Sequence, residues 1–252
     1  MVAGWINDGK MDIKYIYQDN QGMHGAHNAA YRNIETELNV CVDSDDYMPE
    51  DAVEKIINCW KDRGAEEYAG IIGLDIDTNG ELIGTDFPAG MEETTLSSFY
   101  DKGGRGDKKL VYRTEVIKKY PEYPIFEGEK YVGLAYKYHL IDQDYKLLVL
   151  NEPLGIVDYQ PDGSSYGMFR QYWNNPNGFM FFRKSEMKLQ KSSTAKFRSC
   201  IHFISHCMRA GKKNEIFRNP CPVLTFFALP FGFVLYYYTK RQVQKGAAMQ
   251  IS

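Results

Sequence analysis

Apolar and polar positions along the chain change period several times, and each change marks an element. Residues 12–17 (DIKYIY) alternate, which predicts a strand. The polar, Gly-rich stretch from Gln18 to His27 predicts a loop opening into a helix with Ala29, Ala30, Tyr31 and Ile34. Leu38 to Val42 is a short apolar run rich in branched residues and predicts a buried strand. Pro49 starts a helix with Glu50 and Asp51 in its first turn. Its expected apolar face is Val53, Ile56, Ile57 and Trp60, and Gly64 ends it. Ala69 to Ile76 predicts the next strand, and Asn79-Gly80 a hairpin turn into a short strand at Leu82-Ile83. Residues 84–109, with Gly103, Gly104 and Gly106, predict a flexible loop. Leu110 to Tyr120 predicts a short strand and helix, Tyr131 to Ile141 a helix, and Lys146 to Leu150 and Gly155 to Tyr159 two strands. This alternation argues for an α/β sheet, partly parallel, with functional loops beyond the carboxyl ends of its strands.

The character changes after that. Ser192 to Arg209 predicts a basic helix with Phe197, Ile201, Ile204 and Met208 on one face. Pro222 to Tyr238 (PVLTFFALPFGFVLYYY) carries no charge, and Lys240, Arg241 and Lys245 follow it. As a helix at ~1.5 Å per residue the run reaches about 25 Å, short of the roughly 30 Å hydrocarbon core of a bilayer. Pro230 and Gly232 interrupt it. An interfacial segment flanked by basic residues fits better than a clean span. A buried C-terminal element is the plainer alternative.

Charge draws the same boundary. Net charge is −3, yet residues 1–182 hold 17 Lys/Arg against 31 Asp/Glu, and residues 183–252 hold 13 against 2. The expected organisation is an acidic α/β domain over 1–182 and a basic helical tail over 183–252. The five cysteines form no CxxC pair, which fits a reducing compartment. The N-terminal stretch MVAGWINDGKMDIKY has no apolar signal core. His202 and His206 are spaced to share a helix face, but no HExxH glutamate accompanies them. No G-x-S-x-G elbow or Walker loop is present. The basic tail adjoins a charge-free aromatic run, which favours lipid over nucleic acid.

The candidate chemistry lies in VCVDSDDYMP, residues 40–49. Asp43, Asp45 and Asp46 crowd behind a strand, where their repulsion calls for water or a cation. Along an extended Asp-x-Asp, side chains alternate, so Asp43 and Asp45 point one way and Ser44 the other. Mg²⁺ or Mn²⁺ prefers such oxygen ligands, and Mg²⁺ typically fills its shell with water and substrate phosphates. A helix-dipole role for Asp45 or Asp46 ahead of Pro49 explains the same residues. From the motif alone both readings stay open.

The surroundings narrow the choice. The run YQDNQGMHGAHNAAYRNIETELNVCVDSDDYMPEDAV resembles family 2 glycosyltransferases of the GT-A fold. Their pattern is N-x-G, then A-x-N on a helix, then a strand ending in D-x-D-D, an aromatic and a Pro. The resemblance extends over residues 12–166. It implies a GT-A-like (Rossmann-like) mixed sheet flanked by helices. Asn20, Gly22 and Asn28 would shape the nucleotide pocket, Asp43 would face the nucleotide, and Asp45 would bind Mn²⁺ or Mg²⁺. IFEGEKYV (125–132) stands where the family has an acidic pair, so Glu129 is the expected general base, with Glu127 second. Lys130 replaces the usual second acid. YQPDGSS (159–165) resembles a later loop in which Asp162 takes the place of a metal-binding His. Arg113 is a candidate for phosphate or acceptor.

Family members begin with a P-x-Y-N-like strand and a strand ending in V-D-D-G-S, which hold the base and ribose. This chain starts beyond them, and about 50–70 residues are expected to be missing, judged by the ~30-residue size of a βαβ unit. The reading is an inverting glycosyltransferase using a nucleotide-sugar donor, most simply a UDP-sugar, and a glycan or lipid-linked acceptor. It would act in cell-surface polysaccharide or glycolipid synthesis, in the cytoplasm at the inner face of the membrane. The alternative is an inactive truncated remnant serving as a membrane-associated interaction domain. A metal-dependent nucleotidyltransferase is a third reading, disfavoured because no Gly-rich phosphate loop is present.

Overall fold

A computed structural model describes residues 2–158 and 167–249. Helix α1 spans Val2–Asp8 and buries none of its residues. The stretch 12–17, expected as a strand, has no regular structure. It finds no strand partner, and both Tyr15 and Tyr17 are exposed. Alternation signals a strand only where one face meets a core. Helix α2 (Met23–Asn33) follows, then β1 (Leu38–Val40), α3 (Ala52–Arg63) and β2 (Tyr68–Asp77). The α3 face is rotated from expectation: Ala52, Ile56 and Cys59 are buried, whereas Val53 is 55% and Ile57 42% exposed.

Residues 84–109 are not a flexible loop. They hold β3 (Glu93–Thr94), α4 (Leu96–Asp101) and the start of β4 (Lys108–Arg113). Thr95 caps α4 by accepting from the Ser98 N–H, and Phe87, Leu96 and Phe99 are buried in the core. Helix α5 (Thr114–Lys119) comes next. Helix α6 is shorter than expected, Ala135–Ile141, because residues 131–134 approach it without helical hydrogen bonding. The two expected last strands form one, β5 (Lys146–Val157). Helices α7 (Met168–Asn174), α8 (Pro176–Leu189), α9 (Ser193–Arg209) and α10 (Pro222–Met249) complete the chain.

The five strands lie in the order β1-β4-β2-β5-β3. Among the described residues only β2 and β5 run parallel; β1–β4, β4–β2 and β5–β3 are antiparallel. The sheet is therefore mixed, and β2 at its centre is nearly continuous apolar sequence because both faces are covered. One core packs α2, α5 and α6 residues on one side; α3 closes the other with Ala52, Ile56 and Cys59. A separate apolar cluster joins α8, α9 and α10 through Met187, Cys200, Phe203, Ile204 and Ala228. The apolar run at 222–238 is thus part of one long helix, continuous through Pro230.

Candidate active site

The chain leaves β1 at Val40 and turns at once, so Asp43, Ser44, Asp45 and Asp46 reach the mouth of a cavity of about 660 Å³. That volume suits a small-molecule site. A tight turn shapes the loop, with the Asp46 N–H donating to the Asp43 carbonyl at 3.1 Å. Its far end is zipped to β5. Tyr47 and Ile156 exchange both backbone hydrogen bonds, at 3.1 and 2.8 Å. Asp46 accepts from the Asp158 N–H at 3.2 Å. Asp46 therefore holds the loop to β5 rather than serving the helix end; the helix N-cap position belongs to Asp51. Partial burial raises the Asp46 carboxyl above its ordinary range.

The opposite wall brings residues that periodicity hid. Asp75 stands near the end of β2, 3% exposed, with Oδ1 3.6 Å from Lys109 Nζ on β4. Burial pushes its carboxyl up while the neighbouring ammonium pulls it down, and burial is the larger effect. Gly155 makes room for the pair: a Cβ there would lie 2.1 Å from Asp75 Oδ1 and 2.1 Å from Lys109 Cε. Lys108 Nζ donates to the carbonyls of Ile83, Arg105 and Asp107, and burial lowers its pKa. His27 joins the near wall; its Nδ1 meets Tyr31 Oη at 2.9 Å, and burial keeps the ring neutral by lowering its pKa. Cys41 has its thiol pushed up to about 11, first by burial and then by Asp43. A signal for Asp75 was available: a lone carboxylate inside the apolar run AGIIGLDI needs a partner.

The cavity thus sets carboxylates from the 43–46 turn beside a buried Asp–Lys pair. Carboxylates attract a hard cation, and lysines attract phosphate oxygens. Among the described residues, no three His, Cys, Asp or Glu side chains form a metal cage by themselves. The donor set still fits Mg²⁺ or Mn²⁺, which commonly takes one or two carboxylates and completes its shell from water and phosphate.

The other expected site residues lie elsewhere. Asn20 accepts from the Gly22 N–H at 2.9 Å and shapes the turn into α2. Gly22 has φ +80°, and a Cβ there would lie 2.1 Å from the Lys130 carbonyl oxygen. Asn28 is buried and clamps one backbone unit, donating to the Tyr123 carbonyl at 2.8 Å and accepting from its N–H at 2.9 Å. These three join α2 to the 123–130 segment, and none lines the cavity. Glu129 is also outside it. Its carboxylate accepts from the N–H groups of Asn177 (3.0 Å) and Gly178 (2.8 Å) and from Asn177 Nδ2 (2.7 Å). It anchors the start of α8, where orphan N–H groups and the helix dipole favour an anion. Glu127 is exposed on a turn away from the cavity. Arg113 donates to the carbonyls of Glu66 and Tyr68, both at 3.0 Å, at the other end of its strand. Asp162 lies outside the described residues. Where α6 meets the cavity, the wall is Leu134, Ala135 and Tyr138.

Sequence comparison points to a family for the first part of the chain. Residues 1–120 match the sequence profile of "Glycosyl transferase family 2". Over those residues the chain is similar to family 2 glycosyltransferases. The match takes in the aspartate turn, Asp75 and Lys109. Solved structures support the fold. TarS residues 1–349 from S. aureus aligns over 97% of this chain and 77% of that one, with a TM-score of 0.52 and 14% identity. The same TarS segment in complex with UDP-GlcNAc aligns over 97% and 78%, with a TM-score of 0.51 and 14% identity. The mixed five-stranded sheet flanked by helices is the GT-A-like architecture of that protein. No curated protein sequence matches the chain.

Proposed function

We propose that the chain is a family 2 glycosyltransferase, an inverting enzyme that moves a sugar from a nucleotide-diphosphate donor to a hydroxyl acceptor in cell-surface polysaccharide or glycolipid synthesis. The observation that carries the reading is the meeting of Asp43 and Asp45 with the Asp75–Lys109 pair in one cavity. A UDP-sugar is the donor favoured by the TarS complex with UDP-GlcNAc, at the level of fold likeness. Asp45, helped by Asp43, would hold Mn²⁺ or Mg²⁺, which when bound neutralises charge on a departing diphosphate. Lys109 orients phosphate oxygens, and Asp75 holds Lys109 in place. The base that takes the acceptor proton belongs with the carboxylates in the cavity, Asp75, Asp107 and Asp158, since Glu127 and Glu129 stand outside it. Inversion follows from a single in-line attack on the anomeric carbon.

The helix α10 supports a place at the cytoplasmic face of the membrane. It is long and apolar enough to cross a bilayer by length and composition. Its basic ends favour an interfacial position among anionic lipids. The acceptor is then a lipid-linked or surface glycan. The deciding experiment is release of nucleotide from a panel of UDP-sugars with Mn²⁺ by the purified chain and by its Asp45→Ala variant. Turnover lost in the variant supports the enzyme; equal rates in both, or no turnover and no donor binding, favour a remnant acting as an interaction domain.

A further inference from the structure

A second cleft, of about 810 Å³, opens between α8 and the connection from α9 to α10. Lys184, Lys212, Lys213 and Arg218 line it, against the single carboxylate of Glu215. Glu215 is shared: Lys184 Nζ is 3.1 Å from one oxygen and Arg218 Nη1 3.4 Å from the other. Lys212 donates to Asn177 Oδ1 at 2.7 Å, and Lys213 has no carboxylate partner among the described residues. The cleft is therefore strongly cationic, while Met180 and Phe181 give it an apolar floor. The same connection leads directly into α10 at Pro222.

Helix α10 is inside out. The fully buried positions of α10 are small or hydroxylic, with Leu224 and Leu229 half-buried against the α8–α9 cluster: Thr225, Ala228 and Thr239 are buried, and a Cβ on Gly232 would lie 2.5 Å from Ile204 Cβ. The face turned outward is Val223, Phe226, Phe227, Phe231, Val234 and Tyr237, all more than half exposed. Their spacing of three and four residues makes one continuous stripe. A cationic cleft whose connection runs straight into a helix with a bare apolar stripe matches a molecule with an anionic head and hydrocarbon chains. A free phosphate uses the cleft and leaves the stripe bare.

We propose that the cleft binds the phosphate headgroup of an anionic phospholipid, whose chains lie against the outward face of α10. The proposal rests on the membrane reading above and adds to it a specific headgroup site. The test is co-sedimentation of the full chain with phosphatidylcholine vesicles and with equimolar phosphatidylcholine–phosphatidylglycerol vesicles. The native chain is expected on both, and about tenfold more tightly on the anionic ones. Lys213→Glu/Arg218→Glu, two exposed changes checked for fold by circular dichroism, should abolish that preference and leave phosphatidylcholine binding intact. Lys240→Glu/Arg241→Glu, at the other end of α10, should keep most of it. The proposal fails if the cleft variant keeps the preference, or if only the tail variant loses it. It fails equally if inorganic phosphate at constant ionic strength displaces the chain from anionic vesicles, since the cleft then serves the free ion. Binding to phosphatidylcholine without preference overturns the headgroup site alone. Absence from both vesicles overturns the membrane reading with it.

Discussion

In the sheet region the largest apolar side chains of the strands turn inward, and a buried acid–base pair, Asp75 and Lys109, lines one cavity. Around α10 the fully buried side chains are small or hydroxylic, Leu224 and Leu229 are half-buried, and Phe226, Phe227, Phe231 and Tyr237 stand outside. The two regions are built from the same amino acids, and the proposed membrane placement gives them different solvents. Water explains the first arrangement, because burying aromatic side chains removes the most apolar area. The second fits the proposed lipid contact, because an exposed apolar stripe of this length marks an interaction surface. The comparison also sorts the buried charges. In the sheet region a buried carboxylate, Asp75, is kept beside a lysine at a mouth open to ligands. In the helical region Glu186 is paired with Arg183 and Ser199, and serves packing between α8 and α9.

The contrast can be broken most sharply at the cavity. Asp45→Ala should cut nucleotide release on the order of 10²–10³-fold, as removal of an electrostatic element at a leaving group does, with an unchanged urea midpoint. A loss of stability in place of activity would make the aspartate turn structural.

The next effect belongs to the helical region and to pH. Burial lowers the pKa of His202 to about 4 and that of His206 well below its ordinary value. In the folded state both stay neutral, while in the unfolded chain they take up protons below about pH 6.5. The unfolded state then binds more protons, so stability present above pH 6.5 is lost as pH falls toward 4. For His202 the full loss is about 3 kcal/mol. Raised carboxyls such as Asp75 and Asp142 act in the opposite sense, because the folded state holds their protons longer. Urea unfolding on either side of this window should show the helical region weakening first; simultaneous loss of both regions would merge the comparison into one cooperative unit.

Smaller effects separate structure from catalysis near the 123–130 segment. Asn28→Ala leaves the buried Tyr123 N–H and carbonyl unpartnered and should cost about 2–3 kcal/mol in urea unfolding. Its KM for donor should not move. Glu129→Gln should cost about 1 kcal/mol, by weakening the anchor of α8, and leave the pH–rate profile in place. A flattened basic or acidic limb in that variant would return Glu129 to the role of base.

Much of the sheet region was legible because its elements follow the period of their own burial. Helix α2, strand β2 and the aspartate turn are where the pattern puts them. What escaped detection depends on tertiary neighbours. Whether DIKYIY is a strand depends on a partner strand, and it has none. Val53 and Ile57 fit an apolar face, but the sheet meets α3 through Ala52, Ile56 and Cys59. Asn28 sits within a sequence pattern that suggests ligand binding, yet its amide spans 95 residues to hold a backbone unit. Asp75 reads as part of a strand and Lys109 as the end of a loop, and only the pairing of β2 with β4 makes them neighbours.

One glycine carries a consequence beyond packing. Gly155 has an ordinary backbone conformation among the described glycines, so its sequence context gives no hint of constraint. The space above it is filled by the Asp75 carboxylate and the Lys109 side chain. A single methyl group at this position is therefore an eviction notice for both charges at once. It offers the experimenter a way to dismantle one wall of the cavity without altering any residue that touches a ligand.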